Sequence, residues 1–142
     1  MKTLPDPGLL KNYFKGRGVK LAYLMGSQAE GRAKPYSDID IAVLFDPELS
    51  KSERFNLKVE IISKLTKILG TENIDLIDLN SAPPLFAYEA IKQRSELFIS
   101  DEKVRIEFET GVLERYFDAE YFLKRHAQLG LKTLKEEYGI TA

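Results

Sequence analysis

The sequence predicts that residues 1–142 form one domain of the α+β class (mixed α/β), with a short mixed sheet flanked by helices and a long helical tail. Four apolar segments, rich in β-branched residues or alternating with period two, have the pattern of strands: residues 19–25, 38–45, 73–79 and 96–99. Between and after them, apolar residues recur at every third or fourth position, as on one face of a helix. The length allows one core but no second substrate-binding domain, so residues 1–100 are expected to form the core and 101–142 the tail.

Capping and stop signals delimit the first two helices. One is expected over residues 9–15, where Gly16 ends it. A capping box at Ser50–Glu53 starts the next helix, which should run to about Leu69. Its predicted buried stripe consists of Phe55, Val59, Ile62, Leu65 and Leu69.

Proline positions and apolar spacing predict the third helix and the helical tail. Pro83 and Pro84 suit the first turn of a helix that should end near Lys92. From Asp101 the pattern is helical almost to the end of the chain, and bends are expected at Gly111, Asp118 and Gly130. The apolar face predicted for the tail consists of Val104, Phe108, Val112 and Tyr116, together with Leu113 and Phe117. Phe108 and Phe117 are expected to pack on the core, and the remaining aromatic residues make the tail a candidate partner interface.

Composition limits the function. There are 21 basic and 22 acidic residues, so no overall positive field attracts nucleic acid, and direct nucleic-acid binding is not expected. The absence of cysteine excludes disulfides and thiolate zinc sites, and the single histidine, His126, is expected on the surface. Pro5, Pro7 and Gly8 interrupt the apolar run that a signal peptide needs, and no run approaches membrane-spanning length. A cytoplasmic location is therefore expected.

Asp38 and Asp40 are the strongest chemical signal in the chain. Strand residues two positions apart face the same side, so both carboxylates are expected to share one face. Two close carboxylates repel each other, and a divalent cation removes that repulsion. Because Mg²⁺ is typically held by one or two carboxylates and substrate phosphates, the pair predicts a site for a nucleotide-bound metal ion.

Gly26 and Ser27 directly follow the first predicted strand. Glycine permits a sharp turn and a close approach to a ligand, and Ser27 begins a second capping-box pattern that ends at Glu30. The N-terminus of the short helix expected there offers free N–H groups and partial positive charge, both suited to phosphate. Arg32 and Lys34 are candidate triphosphate contacts, with solvated loop charges as the alternative.

The third predicted strand contains Asp75 and Asp78, which alternation places on opposite faces. Only one of them can therefore join the first pair. Phosphoryl-transfer sites commonly use two metal ions about 3.5–4 Å apart, and holding two ions needs more than two carboxylates. The pattern by itself leaves both aspartates as candidates.

The order strand, Gly26-Ser27, ten residues, Asp38-Ile39-Asp40, strand resembles the signature of the DNA polymerase β-like nucleotidyltransferase superfamily. The whole chain is similar to the minimal nucleotidyltransferases (MNT) of prokaryotes, and especially to MNT antitoxins. This similarity further rests on Ser37, on residues 74–85 (IDLIDLNSAPPL) and on residues 115–118 (RYFD). It implies a small nucleotidyltransferase fold.

The resemblance also implies an activity. MNT antitoxins of this kind transfer AMP from ATP to a tyrosine hydroxyl of a HEPN-domain ribonuclease toxin, which silences the toxin within a hetero-oligomer. The implied metal ligands for two Mg²⁺ ions are Asp38, Asp40 and Asp75, with Asp78 as the alternative third carboxylate. The implied nucleotide-binding residues are Gly26, Ser27, Ser37 and Arg32. Related motifs usually carry a basic residue at the position of Glu30, and Arg32 is the candidate substitute.

Two other functions remain open. Some superfamily members transfer a nucleotidyl group to a small-molecule hydroxyl, but they generally carry an extra helical domain that this chain lacks. An antitoxin that neutralises its toxin by binding alone is the second alternative, against which all three acidic positions argue. An enzyme with a triphosphate pocket and no acceptor domain must take its acceptor from outside, which favours a protein acceptor.

Overall fold

The computed structural model describes residues 7–25, 39–92 and 95–139. Within these ranges the chain forms four helices and four strands. In chain order they are α1 (Pro7–Phe14), β1 (Val19–Met25), β2 (Ile39–Phe45), α2 (Lys51–Leu69), β3 (Ile74–Asp78), α3 (Pro84–Lys92), β4 (Ser95–Ile99) and α4 (Glu102–Glu137).

The four strands form one mixed sheet in the order β3-β2-β1-β4. β1 is antiparallel to both β2 and β4, whereas β2 and β3 are parallel. A parallel pair needs a crossover connection, and α2 supplies it. The α+β class and the mixed sheet predicted from the sequence are therefore confirmed.

Each face of the sheet has its own hydrophobic core. α1 and α2 cover one face, where the larger cluster includes Leu10, Phe14, Ile41, Phe45, Ile61 and Leu65. α3 and α4 cover the other face, where a second cluster includes Leu21, Tyr23, Met25, Ala42 and Ala90. Alternation along β2 sends Ile39 and Ile41 to the first face and leaves Asp40 on the second.

α2 begins and ends as predicted, but its buried stripe is different. The Ser50 hydroxyl accepts the Glu53 N–H at 3.1 Å, and the Glu53 carboxylate accepts the Ser50 N–H at 3.0 Å. The predicted burial of Phe55 and Val59 is wrong, since they are 64% and 52% exposed. The predicted packing of Ile62, Leu65 and Leu69 on the core is confirmed, and Leu57, Ile61 and Ile68 pack there as well. The predicted and observed sets both have helical spacing, so periodicity alone does not decide which residues face the core.

α4 is a single helix of 36 residues that continues through all three positions where bends were expected. Its first half packs on α3, where Tyr116 stacks on Tyr88 with ring centroids 3.8 Å apart. The predicted packing of Phe117 on the core is wrong, since its side chain is 57% exposed. Tyr116 occupies the position towards α3, and Phe117 lies about 100° farther round the helix.

The second half of α4 leaves the body of the domain. From Tyr121 to Gly139 every residue except the half-buried Lys135 is exposed, including His126 as predicted. We call residues 117–138 the arm. No helix within the described ranges is long and apolar enough to cross a membrane.

Candidate functional site

Asp40 and Asp75 lie side by side on the parallel strands β2 and β3, where their Cα atoms are register partners. Neighbouring strands are about 4.8 Å apart. On its other side, Asp40 is the partner of Met25, the last residue of β1. Asp40 is half-buried and Asp75 is exposed. The structure thus brings two of the three predicted metal ligands together, next to the end of β1.

The local sequence explains this arrangement. Ile39, Ile41 and Leu76 are buried among the side chains packed under α1 and α2, so the aspartates between them point to the opposite face. The Ile39 N–H donates to the carbonyl of Asn73 at 3.2 Å, which extends the parallel pairing by one bond before β3 begins. Both aspartates therefore lie near the start of their strands, where the two backbones are already hydrogen-bonded to each other. This backbone pairing sets the distance between the two aspartates.

Asp78, the alternative third carboxylate, has different surroundings. It lies on the face that α2 covers, where Arg54 Nε is 3.2 Å from its Oδ2. The Ser81 hydroxyl donates to the same oxygen at 3.2 Å, and the Asn80 N–H donates to Oδ1 at 2.8 Å. Asp78 thus joins α2 to the end of β3, and the structure does not bring it to Asp40.

The other predicted site residues lie outside the described ranges: Gly26, Ser27, Arg32, Ser37 and Asp38. Their roles stay predictions. Two described residues border this stretch, Met25 before it and Ile39 after it, and both lie at the end of the sheet where Asp40 and Asp75 meet. Among the residues that the structure describes, no group of three acidic or histidine side chains forms a metal site.

A buried polar contact near the site was missed by sequence reasoning. Tyr23, on β1, is fully buried, and its hydroxyl donates to Glu109 Oε2 of α4 at 2.8 Å. Arg105 Nη1 lies 3.3 Å from the other oxygen of that carboxylate. Tyr23 pairs with Ala42, two residues along β2 from Asp40. The contact therefore fixes α4 against the sheet close to the aspartate pair, and no local motif in the sequence indicates it.

Asn80 is a second residue whose role the sequence did not reveal. Its side-chain oxygen accepts the Phe45 N–H at 2.8 Å, and its amide donates to the Phe45 carbonyl at 3.1 Å. The Asn80 side chain therefore adds one more pair of hydrogen bonds between the end of β2 and the segment that follows β3. It steadies the strand pair at the end opposite the aspartates.

Hydrogen bonding and burial shift the ionisation of side chains where the arm begins. Burial, followed by the hydrogen bond with Glu120, raises the pKa of the Tyr116 hydroxyl. Hydrogen bonds from Lys124 and Tyr116 lower the pKa of the Glu120 carboxyl. Tyr116 is thus protonated and Glu120 ionised at neutral pH, which is the combination that keeps this contact intact.

Comparison with known proteins identifies the family. The sequence pattern of the family described as polymerase beta, nucleotidyltransferase, matches residues 9–103, more than half of the chain. The chain belongs to this nucleotidyltransferase family. The matched range contains β1 to β4 and both aspartates of the pair, and it confirms the resemblance seen in the sequence.

Two curated relatives of this nucleotidyltransferase carry adenylyltransferase names. Protein adenylyltransferase MntA of Shewanella oneidensis is 35% identical over 80 residues, which are 56% of this chain and 54% of that protein. A putative protein adenylyltransferase of Methanocaldococcus jannaschii is 40% identical over 79 residues, which are 56% of this chain and 74% of that protein. The chain thus matches about half the length of MntA.

Solved structures show the same fold. A chain of a toxin–antitoxin crystal structure with AMP-PNP superposes with a TM-score of 0.55 at 23% identity, covering 94% of this chain and 98% of that one. A chain from the complex of the tri-AMPylated Shewanella oneidensis HEPN toxin with MNT antitoxin gives a TM-score of 0.52 at 22% identity, covering 93% and 98%. The small nucleotidyltransferase fold is therefore confirmed.

Proposed function

We propose that this nucleotidyltransferase is an antitoxin that acts as a protein adenylyltransferase, transferring AMP from ATP to a tyrosine hydroxyl of a HEPN-type ribonuclease toxin. The observation that carries the proposal is the register pair Asp40–Asp75 beside the end of β1, in a member of this family. The adenylyltransferase names of two relatives support it. The toxin is the partner in a hetero-oligomer, and a cytoplasmic location stays a prediction.

The proposed metal ligands suit Mg²⁺. Asp40 and Asp75 present hard carboxylate oxygens on one face of the sheet, and both side chains are at least partly open to solvent. Asp38, two residues before Asp40, is the proposed third ligand for two ions. When bound, Mg²⁺ supplies charge neutralisation of the triphosphate and lowers the pKa of the acceptor hydroxyl.

The protein residues have distinct roles in the proposed transfer. The acceptor tyrosine oxygen attacks the α-phosphorus, the bond to pyrophosphate breaks, and Asp75, the more exposed carboxylate, accepts the hydroxyl proton. N–H groups and the hydroxyl of Gly26 and Ser27 bind the outer phosphates. Arg32 contacts the triphosphate, and Ser37 orients the loop before Asp38.

The test is the intact mass of the acceptor. The protein is incubated with ATP, Mg²⁺ and a HEPN-type ribonuclease toxin. We expect the acceptor to gain one or more AMP units, and Asp75→Asn to abolish the gain. Asp78→Asn is the matched control, since it changes the same residue type on the same strand but on the opposite face, and it should retain transfer.

The other outcomes separate the alternatives. Suppressed ribonuclease activity without any mass gain would indicate an antitoxin that acts by binding alone. If neither effect occurs but small-molecule hydroxyls become adenylylated, the acceptor class is wrong. Equal loss of transfer in both variants, with both folded by circular dichroism, would contradict the assignment of Asp75.

A further inference from the structure

The arm exposes large apolar side chains that contribute little to packing within the domain. Eight large apolar residues in it are 51% to 73% exposed: Phe117, Tyr121, Phe122, Leu123, Leu129, Leu131, Leu134 and Tyr138. Single exposed apolar residues are ordinary, but a concentration of them along one helix marks an interaction site. The arm therefore differs from the rest of the domain surface.

Part of this apolar surface forms a stripe. Leu123, Ala127, Leu131, Leu134 and Tyr138 are spaced by three or four residues and lie within about 80° of one another around the helix. We call these five residues the arm stripe. It continues the face with which Phe108, Val112 and Tyr116 pack against α3. Because a helix covers the first part of this face, a helix is the element that fits its continuation.

The arm also begins at the end of the sheet where Asp40 and Asp75 meet. α4 starts three residues after Ile99, whose partner Leu21 is near the opposite end of β1 from Met25. Farther along α4, Glu109 contacts Tyr23, two residues before Met25. α4 thus runs in the direction of β1. From Glu109 to Phe117 the helix advances by eight residues, about 12 Å along its axis. From Tyr23 to Met25 the strand advances by about 7 Å. The arm therefore begins just beyond the end of β1.

Charge indicates what kind of partner fits. From Tyr121 to Lys135 the arm has four basic side chains and no acidic one: Lys124, Arg125, Lys132 and Lys135. A second arm paired antiparallel about Gln128 would set Lys124 against Lys132, and parallel pairing would set like against like. A second copy of this chain is therefore disfavoured, because like charges that face each other across an interface repel. Acidic residues stand at both ends of the arm, as Asp118, Glu120, Glu136 and Glu137, so its net charge does not favour an anionic membrane.

We propose that the arm is the docking surface for the protein acceptor, and that the acceptor contributes an amphipathic helix. The apolar face of that helix lies on the arm stripe, and its carboxylates face the basic segment of the arm. Docking there holds the acceptor beyond the end of β1, on the side of the sheet to which Asp40 and Asp75 belong. The identity of the partner rests on the proposed function, whereas the surface itself does not.

The arm offers a matched pair of variants. Leu134 and Leu129 are 51% and 52% exposed, but they lie about 140° apart around the helix, so only Leu134 belongs to the stripe. Leu134→Asp and Leu129→Asp introduce the same charge at exposed positions five residues apart. Both variants should therefore fold equally well, which circular dichroism checks.

Binding and transfer are measured separately with the whole 142-residue chain and a HEPN-type ribonuclease toxin. We expect Leu134→Asp to raise the Kd of the complex by about 30-fold or more, the effect of losing an interface hot spot. The same variant should lower kcat/KM for AMP transfer to a similar degree. Leu129→Asp should stay within about 3-fold of the wild type, and ATP affinity should be the same in all three proteins.

Each alternative result has a distinct meaning. Loss of binding in Leu134→Asp, with no AMP transfer even by the wild type, would support the docking surface and refute the proposed function. AMP transfer that is equally efficient in both variants would refute the docking surface and leave the function intact. A dimer of the chain alone that Leu134→Asp dissociates, or arm-dependent binding to anionic vesicles with toxin binding unchanged, would overturn the proposal.

Discussion

The contact between Tyr23 and Glu109 is a sensitive test of how α4 is held on the sheet. Tyr23→Phe removes one hydroxyl from a fully buried position and changes nothing else in the packing. A hydrogen bond to a charged group is worth about 1.5–3 kcal/mol. Arg105 still contacts the Glu109 carboxylate at 3.3 Å, so the lower value applies, and the free energy of unfolding should fall by about 1.5 kcal/mol. The Tm should then fall by about 6 °C for a chain of this size.

The assay is urea unfolding of Tyr23→Phe, Glu109→Gln and the double variant. The two single losses should not add, and the double-mutant cycle should give a coupling free energy of about 1 kcal/mol. Tyr121→Phe is the control, since that side chain is 66% exposed and should change stability by less than about 0.5 kcal/mol. Additive losses, or a Tm shift in Tyr23→Phe no larger than in the control, would refute the reasoning.

Two further predictions concern helix ends and helix propensity. Ser50→Ala removes the N-cap of α2 and should lower the unfolding free energy by about 1 kcal/mol in chemical denaturation. The backbone N–H of Ser50, and then its hydroxyl, lower the pKa of the Glu53 carboxyl, so the stability that this carboxylate contributes is complete above the unfolded pKa and is lost as pH falls through the folded one. Because the Glu53 N–H still donates to the Ser50 hydroxyl when the carboxyl is protonated, the difference between the wild type and Ser50→Ala should narrow in acid but persist. Gly130→Ala should slow hydrogen exchange in the arm, since no atom lies within 4 Å of the added Cβ and alanine favours a helix by about 1 kcal/mol. Unchanged or faster exchange would contradict it.

Local signals were sufficient to predict the strands and helices that the structure describes, whereas the short helix predicted at Ser27 lies outside the described residues. β1 extends from Val19 to Met25 as predicted, since a short apolar run bounded by turn residues is typical of a buried strand. The boundaries of α2 follow from its capping box and from Gly70, which has a φ of +69°. Such features depend on neighbouring residues only, and a single sequence contains that information.

Features that depend on packing were harder to predict. Two stripes on α2 have helical spacing, and only the docked sheet selects the one with Ile61 over the one with Phe55. The candidate site shows the same limit: alternation predicts that Asp75 and Asp78 face opposite sides, but the parallel register decides which one meets Asp40. The partnership of Tyr23 with Glu109 spans 86 positions and leaves no local pattern.

The parallel pairing of β2 with β3 has a consequence for the thermal stability of the candidate site. Asp40 and Asp75 meet only when β2 and β3 pair, and these two strands are connected through the α2 crossover. β3 is an edge strand whose neighbour in the sheet is β2. Edge strands open at a lower free energy than the central strands of a sheet. The carboxylate pair should therefore be among the first features to separate on warming. The proposed AMP transfer should therefore be lost at a temperature at which most of the domain is still folded.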